Sequence, residues 1–397
     1  MNIMKKSVFA LAALVMAIPP SFAAESQTAL YDQVWRLINT KYVDSSNNMQ
    51  DWSKWRRKYD NYIKTDEDSY MAIRTMLASL DDQYTRFLDP KEFAEETSSI
   101  RGSLKGIGVQ IGTRDGKLMV IAPLEDTPAE KAGILADDEI IEIDGESTKG
   151  ITVEKAADKI KGEEGTTVTL VIKRKDELKT FHIRRQEIEL KAVSTKVPND
   201  VKLNPQIGYV RLSSFISKNA AAEFEKAMID QADKKGYIID LRSNPGGLLT
   251  NAVLISNMFL SSKVVVSTVD RDGYKETLRT MKPVLTNKPL VVLINKGSAS
   301  ASEITSGALH DNGRAVLIGE QSFGKGLVQE INKLPDGSGV NITIQKYYTP
   351  NGTDINKKGI TPDIIVELTE DDIEKKNDTQ LIRANDVLTK MINKSNS

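Results

Sequence analysis

Along this chain the spacing of apolar residues changes period at identifiable points, and each change marks a different kind of structure. An unbroken apolar run from Val8 to Ile18 follows Lys5 and Lys6, and Pro19-Pro20 with Ser21-Phe22-Ala23 closes it. After this segment, residues 1–23, the period becomes helical across 24–98. Leu30, Val34, Leu37, Ile38 and Tyr42 share one face, and Tyr70, Ile73, Met76, Leu77 and Leu80 repeat the stripe until Asp81-Asp82 stops it, with Pro90 soon after. The Trp52 to Tyr62 stretch between the stripes is charged but aromatic. Its rings read as core anchors of a helical subdomain, with a partner-binding face as the other use of such residues.

Short alternating runs take over across 99–187. Gly106 to Ile111 is a glycine-led strand, and Lys117 to Ile121 returns after the Asp115-Gly116 turn. Glu139 to Ile143, Thr167 to Lys173 and Thr180 to Arg184 continue the pattern, Ala129 to Ala132 is a short helix stopped at Gly133, and a helix from Thr152 to Ile160 turns Val153, Ala156, Ala157 and Ile160 inward. Across 188–370 the order becomes strand, glycine loop, helix. Ile207 to Leu212, Gly236 to Leu241, Val264 to Val269, Leu290 to Ile294 and Ala315 to Ile318 read as buried strands of a mostly parallel sheet. Helices near Ala220 to Ala232, Leu249 to Phe259 and Ala301 to Leu309 alternate with them. Leu381, Val387, Leu388 and Met391 predict a docked helix within a C-terminal segment, 371–397. The fold class is therefore multidomain, α/β plus mainly β.

Composition narrows the chemistry. The 397 residues include no cysteine and two histidines, which excludes cysteine nucleophiles, disulfide scaffolds and cysteine-based zinc sites, and leaves little for histidine ligation. With 54 basic and 55 acidic residues the formal charge is −1, so nothing favours nucleic acid or an anionic membrane surface. The N-terminal apolar run falls short of the roughly 20 residues a membrane-spanning helix needs. Its two leading lysines and the small residues before Ala23 are those of an export signal cut after Ala23 or Ala24. The cut removes Lys5 and Lys6 and takes the formal charge from −1 to −3. The expected product is exported and soluble, without a membrane span, and periplasmic first, with extracellular or lumenal locations as alternatives.

Three glycine-rich loops follow apolar strands of the α/β region, where such folds bind ligands: Arg242 to Gly247, Asn295 to Glu303 and Gln321 to Gly326. None has the spacing of a phosphate-binding loop or a dinucleotide fingerprint. The middle loop places Ser298, Ser300 and Ser302 before a helix whose free N–H groups favour a developing negative charge. Ser300-x-x-Glu303 is equally the pattern of a capping box, so Ser300 reads as nucleophile or as cap. A nucleophilic serine needs a base. His310 lies along the following helix, about 15 Å from Ser300, and His182 belongs to the β region and reads as a strand-surface residue, so a Ser-His-Asp triad is not expected. Lys325 on the third loop is the natural substitute, or an ordinary surface lysine. To act as a base it must be buried, because a free lysine titrates near 10.4 and only about one in a few thousand is neutral at pH 7.

Taken together the motifs resemble the carboxyl-terminal processing peptidases, tail-specific serine proteases that join a PDZ domain to a Ser/Lys catalytic core. The carriers are Asp82-Gln83-Tyr84-Thr85-Arg86-Phe87-Leu88, Asp240-Leu241-Arg242-Ser243-Asn244-Pro245-Gly246-Gly247, Gly297 to Ile304, Ser322-Phe323-Gly324-Lys325-Gly326-Leu327-Val328-Gln329, and Gly359-Ile360-Thr361-Pro362-Asp363. The resemblance implies a PDZ-like domain inserted before an α/β core of the crotonase/Clp-protease type. It implies Ser300 as nucleophile, Lys325 as base and Gln329 as the residue that orients the lysine. An oxyanion hole follows from the N–H of Ala301 and of a glycine in the Asn-Pro-Gly-Gly loop, assigned to Gly246 in preference to Gly247. The Lys105-Gly106-Ile107-Gly108 loop resembles a carboxylate-binding loop, and a substrate tail adds beside Val109 to Ile111, facing Val153 and Ile160. Ile107, Val109, Val153 and Ile160 make that groove apolar, or else are ordinary core.

The function expected is an exported endopeptidase that hydrolyses peptide bonds in polypeptides with free apolar C-termini, with no metal or cofactor. The alternatives are a non-catalytic PDZ-type tail-binding adaptor and, from the core fold, an acyl-CoA enzyme. The helical N-terminal region and the C-terminal tail offer surfaces for a homodimer.

Overall fold

The two helical stripes near the N-terminus become a pair of packed helices. A computed structural model describes residues 28–395 apart from 102, 115, 125, 126, 190, 199, 200 and 376, so the leader and its cut lie outside the described residues. In it α1 (Ala29–Lys41) buries Tyr31, Val34 and Ile38, and α2 (Asp66–Ala78) buries Ile73, Met76 and Leu77. Thr65 starts α2 by a capping box. Its Oγ1 accepts the Asp68 N–H at 3.1 Å, and Asp68 Oδ2 accepts the Thr65 N–H at 3.0 Å. Trp35 and Trp52 lock the connecting stretch by donating each indole N–H to the other's carbonyl, at 2.9 and 3.3 Å. Tyr62, at the end of that stretch, is exposed.

The chain then departs from the sequence expectation. Arg86–Leu88 forms a strand, β1, inside the stretch read as helical, whereas Pro90 opens a further helix there, α3 (Pro90–Arg101), where its missing N–H costs nothing.

The small β domain follows. A two-stranded ribbon of β2 (Ser103–Gly106) and a later strand brackets its entry and exit. Between them lie β3 (Val109–Arg114), β4 (Lys117–Pro123), α4 (Pro128–Lys131), β5 (Glu139–Ile143), β6 (Glu146–Ser147), α5 (Val153–Ile160), β7 (Thr167–Arg174) and β8 (Glu177–Arg184), and the returning ribbon strand is β9 (Gln186–Glu189). The main sheet runs β3-β4-β5-β7-β8, all antiparallel, so β3 is an edge. Its core, with Ile107, Val120, Ile140, Ala156, Leu170 and Ile172, is separate from the others.

The remaining chain holds two sheets. The first contains β10 (Val193–Ser194), β11 (Ile207–Leu212), β12 (Gly236–Asp240), β15 (Leu290–Ile294), β16 (Val316–Gly319) and β19 (Ile364–Ile365) in that order, parallel except for β10. Alternate residues face opposite layers, as a strand's two-residue period requires. Val210, Ile239, Val292 and Leu317 pack on α6 (Ala220–Asp230), α7 (Leu249–Asn257) and α8 (Ala301–Asp311), whereas Tyr209, Ile238, Val291 and Ile318 meet the C-terminal helix α10 (Thr379–Ser395) through Leu381, Leu388 and Ile392.

The second sheet is antiparallel: β1, β18 (Gly339–Tyr348), β13 (Val264–Asp270) and β14 (Lys275–Arg279), with β17 (Leu327–Lys333) on the other edge of β18. The apolar run at Val264 to Val269 therefore belongs to this sheet and not to the parallel one. Burial marks a strand, but its partners are chosen by the chain around it. A short helix, α9 (Glu370–Glu374), precedes α10. Among the described residues no helix is long and apolar enough to cross a membrane.

Candidate active site

The three glycine loops leave the carboxyl ends of β12, β15 and β16, and hydrogen bonds interlock them. Asn244 Nδ2 donates to Leu212 O at 2.8 Å, while its carbonyl accepts the N–H of Ala299 at 3.0 Å and the Ser302 hydroxyl at 2.9 Å. Ser298 Oγ donates to Leu241 O at 2.8 Å, and Ser298 O accepts the Phe323 N–H at 3.0 Å. Ser298 and Ser302 are thus fully buried and committed to joining loops. Ser300 is half-buried and opens onto a cleft of about 590 Å³ that also contains Gly246, Lys325 and Gln329.

Ser300 has φ 54° and ψ −113°, a left-handed conformation that costs a residue with a Cβ of order 1–3 kcal/mol. Such strain in a serine on a strand-to-helix turn is the geometry that lifts a nucleophile clear of its loop. The capping half of its reading also holds, since Glu303 Oε2 accepts the Ser300 N–H at 2.8 Å. The capping box engages the Ser300 side chain as well, its oxygen facing the Glu303 N–H, while the residue still lines the cleft.

Gly246 closes the cleft opposite. Its φ is 97°, and a Cβ there would stand 2.9 Å from both Ser300 Cβ and Ala301 N, so only glycine brings this loop so near the serine. Its N–H, however, donates to Asn244 Oδ1 at 2.9 Å. Its carbonyl accepts the Phe215 N–H at 2.8 Å, and since the peptide is trans the N–H of Gly247 points the opposite way, with no acceptor among the described residues. Ala301 begins α8, where a first-turn N–H has no helical partner.

Lys325 is half-buried, with its ammonium 4.5 Å from the centre of the Tyr84 ring. Burial pushes it below the ordinary lysine value, the nearby Arg86 charge adds to this, and Asp82, Glu96 and Glu303 oppose it. Arg86 itself pairs with Glu96 at 2.9 Å, and Glu96 accepts from Asn341 Nδ2 at 2.9 Å. Gln329 turns its Nε2 toward Thr343 Oγ1 at 3.5 Å. Among the described residues no hydrogen bond joins Lys325 Nζ to Ser300 or to Gln329, so the three share a cleft without being linked.

Tyr84, Arg86 and Glu96 carried no role in the sequence reading. Tyr84 and Arg86 stand in a quoted motif, yet only the pairing of Arg86 with Asn341 across two strands brings them beside the lysine. The histidines lie elsewhere, as expected. His310, in the last turn of α8, lies between Asp311 and Asp363, at 3.1 and 3.2 Å, and His182 is exposed on β8.

In the small domain α5 packs beside β3, and β3 has no strand on its outer edge. Gly108 has φ 75°, and a Cβ would meet Thr127 at 2.3 Å. Ile107 and Ile160 are buried in the domain's core, whereas Val109, Ile111 and Val153 are partly exposed around it. Gly106, one residue before Ile107, ends β2.

Residues 206–366 match peptidase family S41, and residues 119–174 match a PDZ domain. A carboxyl-terminal-processing protease of Picosynechococcus sp. is 43% identical over 364 residues, which cover 89% of this chain and 87% of that protein. Carboxyl-terminal-processing peptidase 2 of Arabidopsis thaliana, named chloroplastic, is 36% identical over 360 residues, covering 87% and 70%. The solved structure of a photosystem II D1 C-terminal processing protease superposes with a TM-score of 0.59 at 34% identity, covering 88% of this chain and 96% of the other.

Proposed function

This chain belongs to the carboxyl-terminal processing proteases, serine endopeptidases of peptidase family S41 that carry a PDZ domain, and from that premise we propose that Ser300 is its nucleophile and Lys325 its general base. The observation that carries the assignment is the convergence, in one cleft, of a strained serine, a half-buried lysine and a glycine loop. Membership in a protease family displaces the adaptor and acyl-CoA alternatives.

In the proposed cycle Lys325, once neutral, leaves the Tyr84 ring, which favours its charged form, and turns to Ser300. Ser300 Oγ bonds to the scissile carbonyl carbon as its proton passes to Lys325 Nζ. The same proton goes to the departing amine as the C–N bond breaks, and water then hydrolyses the acyl ester with Lys325 again as base. Gln329 holds the lysine in that working position. The oxyanion sits at the N–H of Ala301 and an N–H of the Gly246-Gly247 pair. With the Gly246 N–H engaged by Asn244, Gly247 is the better-placed donor and replaces Gly246 in our reading.

Substrates are polypeptides. In our reading a free apolar C-terminus enters the small domain along the open edge of β3, its carboxylate at Gly106, Ile107 and Gly108, its last side chains against Val109 and Val153, over a floor that includes Ile160. Export by the N-terminal leader to the periplasm belongs to the same reading. So does pairing of two copies through the helical N-terminal region, where Met49, Tyr62 and Met71 are exposed.

The test is digestion of an unstructured protein with an apolar C-terminus. Wild type cleaves it, chelators change nothing, and Ser300→Ala and Lys325→Ala each lower the rate about 10³-fold or more while tail binding persists. Full activity in Lys325→Ala would overturn the base assignment.

A further inference from the structure

Glu303 has no exposed surface, yet all the partners that hold its carboxylate are neutral donors. Oε2 accepts the N–H of Ser300 at 2.8 Å and the N–H of Lys325 at 2.9 Å. Oε1 accepts the Ser322 hydroxyl at 2.6 Å and the Gly324 N–H at 2.7 Å. The Tyr347 hydroxyl, which donates to Ser300 O at 3.2 Å, lies against the same group. A buried charge is tolerable only when such donors replace its water, and the start of α8 adds a favourable dipole.

A capping box needs one of these bonds, the one to Ser300. The other three reach residues 322 to 325, on a different loop from a different strand. Since Oε2 is common to the Ser300 and Lys325 N–H groups, one atom keeps the two main chains within two hydrogen-bond lengths of each other. Ser322 extends the clasp by accepting the Ile360 N–H at 2.7 Å.

We propose that Glu303 is a positioning residue that holds the nucleophile loop and the base loop in register through its shared carboxylate. The proposal rests on the Ser300/Lys325 reading and deepens it. Glutamine has the same shape but one acceptor oxygen, so wherever its amide nitrogen lies, an N–H faces another N–H. It also removes a negative charge. The groups that act on the Lys325 ammonium are the Arg86 guanidinium, the Asp82, Glu96 and Glu303 carboxylates, and the Tyr84 ring. Loss of one of three carboxylates lets the lysine lose its proton at lower pH.

The experiment compares kcat, KM and the pH profile of kcat/KM for wild type, Glu303→Gln and Ser322→Ala on a peptide with an apolar tail. Glu303→Gln is expected to lower kcat about 100-fold with KM within about twofold, because misplacement without loss of substrate contacts acts on the chemical step. Its acid limb should move to lower pH, which a merely structural lesion would not produce. Ser322→Ala keeps the charge and removes one donor to Glu303 together with the acceptor of the Ile360 N–H, so it should lower kcat about 10-fold and leave the limb in place. If Glu303→Gln does not fold, Ser322→Ala decides alone. Wild-type kcat in either folded variant, or an unmoved limb in Glu303→Gln, overturns the proposal. Ser300→Ala and Lys325→Ala run in parallel: if either stays active, the dyad itself is wrong, and if both are inactive while Glu303→Gln behaves as wild type, only the positioning role fails.

Discussion

Ser300 holds two properties that conflict, a position at the start of a helix and a backbone conformation that ordinary residues avoid. The conflict has a measurable consequence. Glycine occupies φ near 54° without a Cβ penalty, whereas alanine keeps the strain of serine. Ser300→Gly should therefore be more stable than Ser300→Ala by about 1 kcal/mol, although glycine lacks side-chain contacts and loses more chain entropy on folding. Thermal melts of the two inactive proteins check this, and an equal or lower melting temperature for Ser300→Gly would refute the strain. At this scale the sequence narrows the proposed nucleophile and base to one serine loop and one lysine, and the family resemblance of the motifs chooses Ser300 and Lys325. Tyr84 and Glu96 are not, because what they contribute is proximity to a residue far along the sequence.

The glycine loop after β12 is held by a buried ionic element. Arg242 donates to Asp240 Oδ2 at 2.7 Å and to Asp378 Oδ1 at 2.7 Å, and Tyr209 Oη donates to Asp240 at 2.8 Å. The network joins the sheet's carboxyl end to the residue preceding α10. Arg242→Met would leave two buried carboxylates without their cation, at a cost of about 3–5 kcal/mol, read as a lower urea midpoint. Burial alone would raise the Asp240 carboxyl, but Arg242 holds it below its ordinary value. A lowered carboxyl contributes stability that is complete above its unfolded value, about 3.9, and is lost as pH falls through the folded one. Wild-type stability should therefore decline on acidification below about pH 4, and the decline should flatten in Arg242→Met. The docked C-terminal helix is visible in its apolar stripe, but the pairing of Arg242 with Asp378 is not, since nothing local links two polar residues so far apart. The run at Val264 makes the same point, as its apolarity announces a strand and leaves its sheet undecided.

The molecule as a whole has a small β domain with its own core, joined to the rest through the β2–β9 ribbon, α3 and ion pairs. Among the described residues these are Lys91 with Asp158 at 2.7 Å and Lys161 with Glu95 at 3.8 Å, which link α3 to α5 or its edge. Exposed pairs of this kind contribute about 0–1 kcal/mol each, too little to make the two bodies unfold as one. Calorimetry should resolve a separate transition for the small domain. Leu170→Ala, at a fully buried position, should destabilise that transition by about 2–5 kcal/mol and leave the other unmoved. A single transition shifted as a unit would show that the bodies are coupled.

The sequence by itself determined the kinds of element, the order of the domains and the residue types available for chemistry, because periodicity, turn residues and composition are local properties. The absence of cysteine and the distance of His310 from the serine loop already directed attention to a lysine. Only the tertiary structure decided which strands pair, which serine of three is accessible, which glycine N–H is free, and that one buried glutamate spans two loops. Those outcomes depend on hydrogen bonds between residues remote in sequence, and they exist only after the parallel sheet has brought its carboxyl ends together.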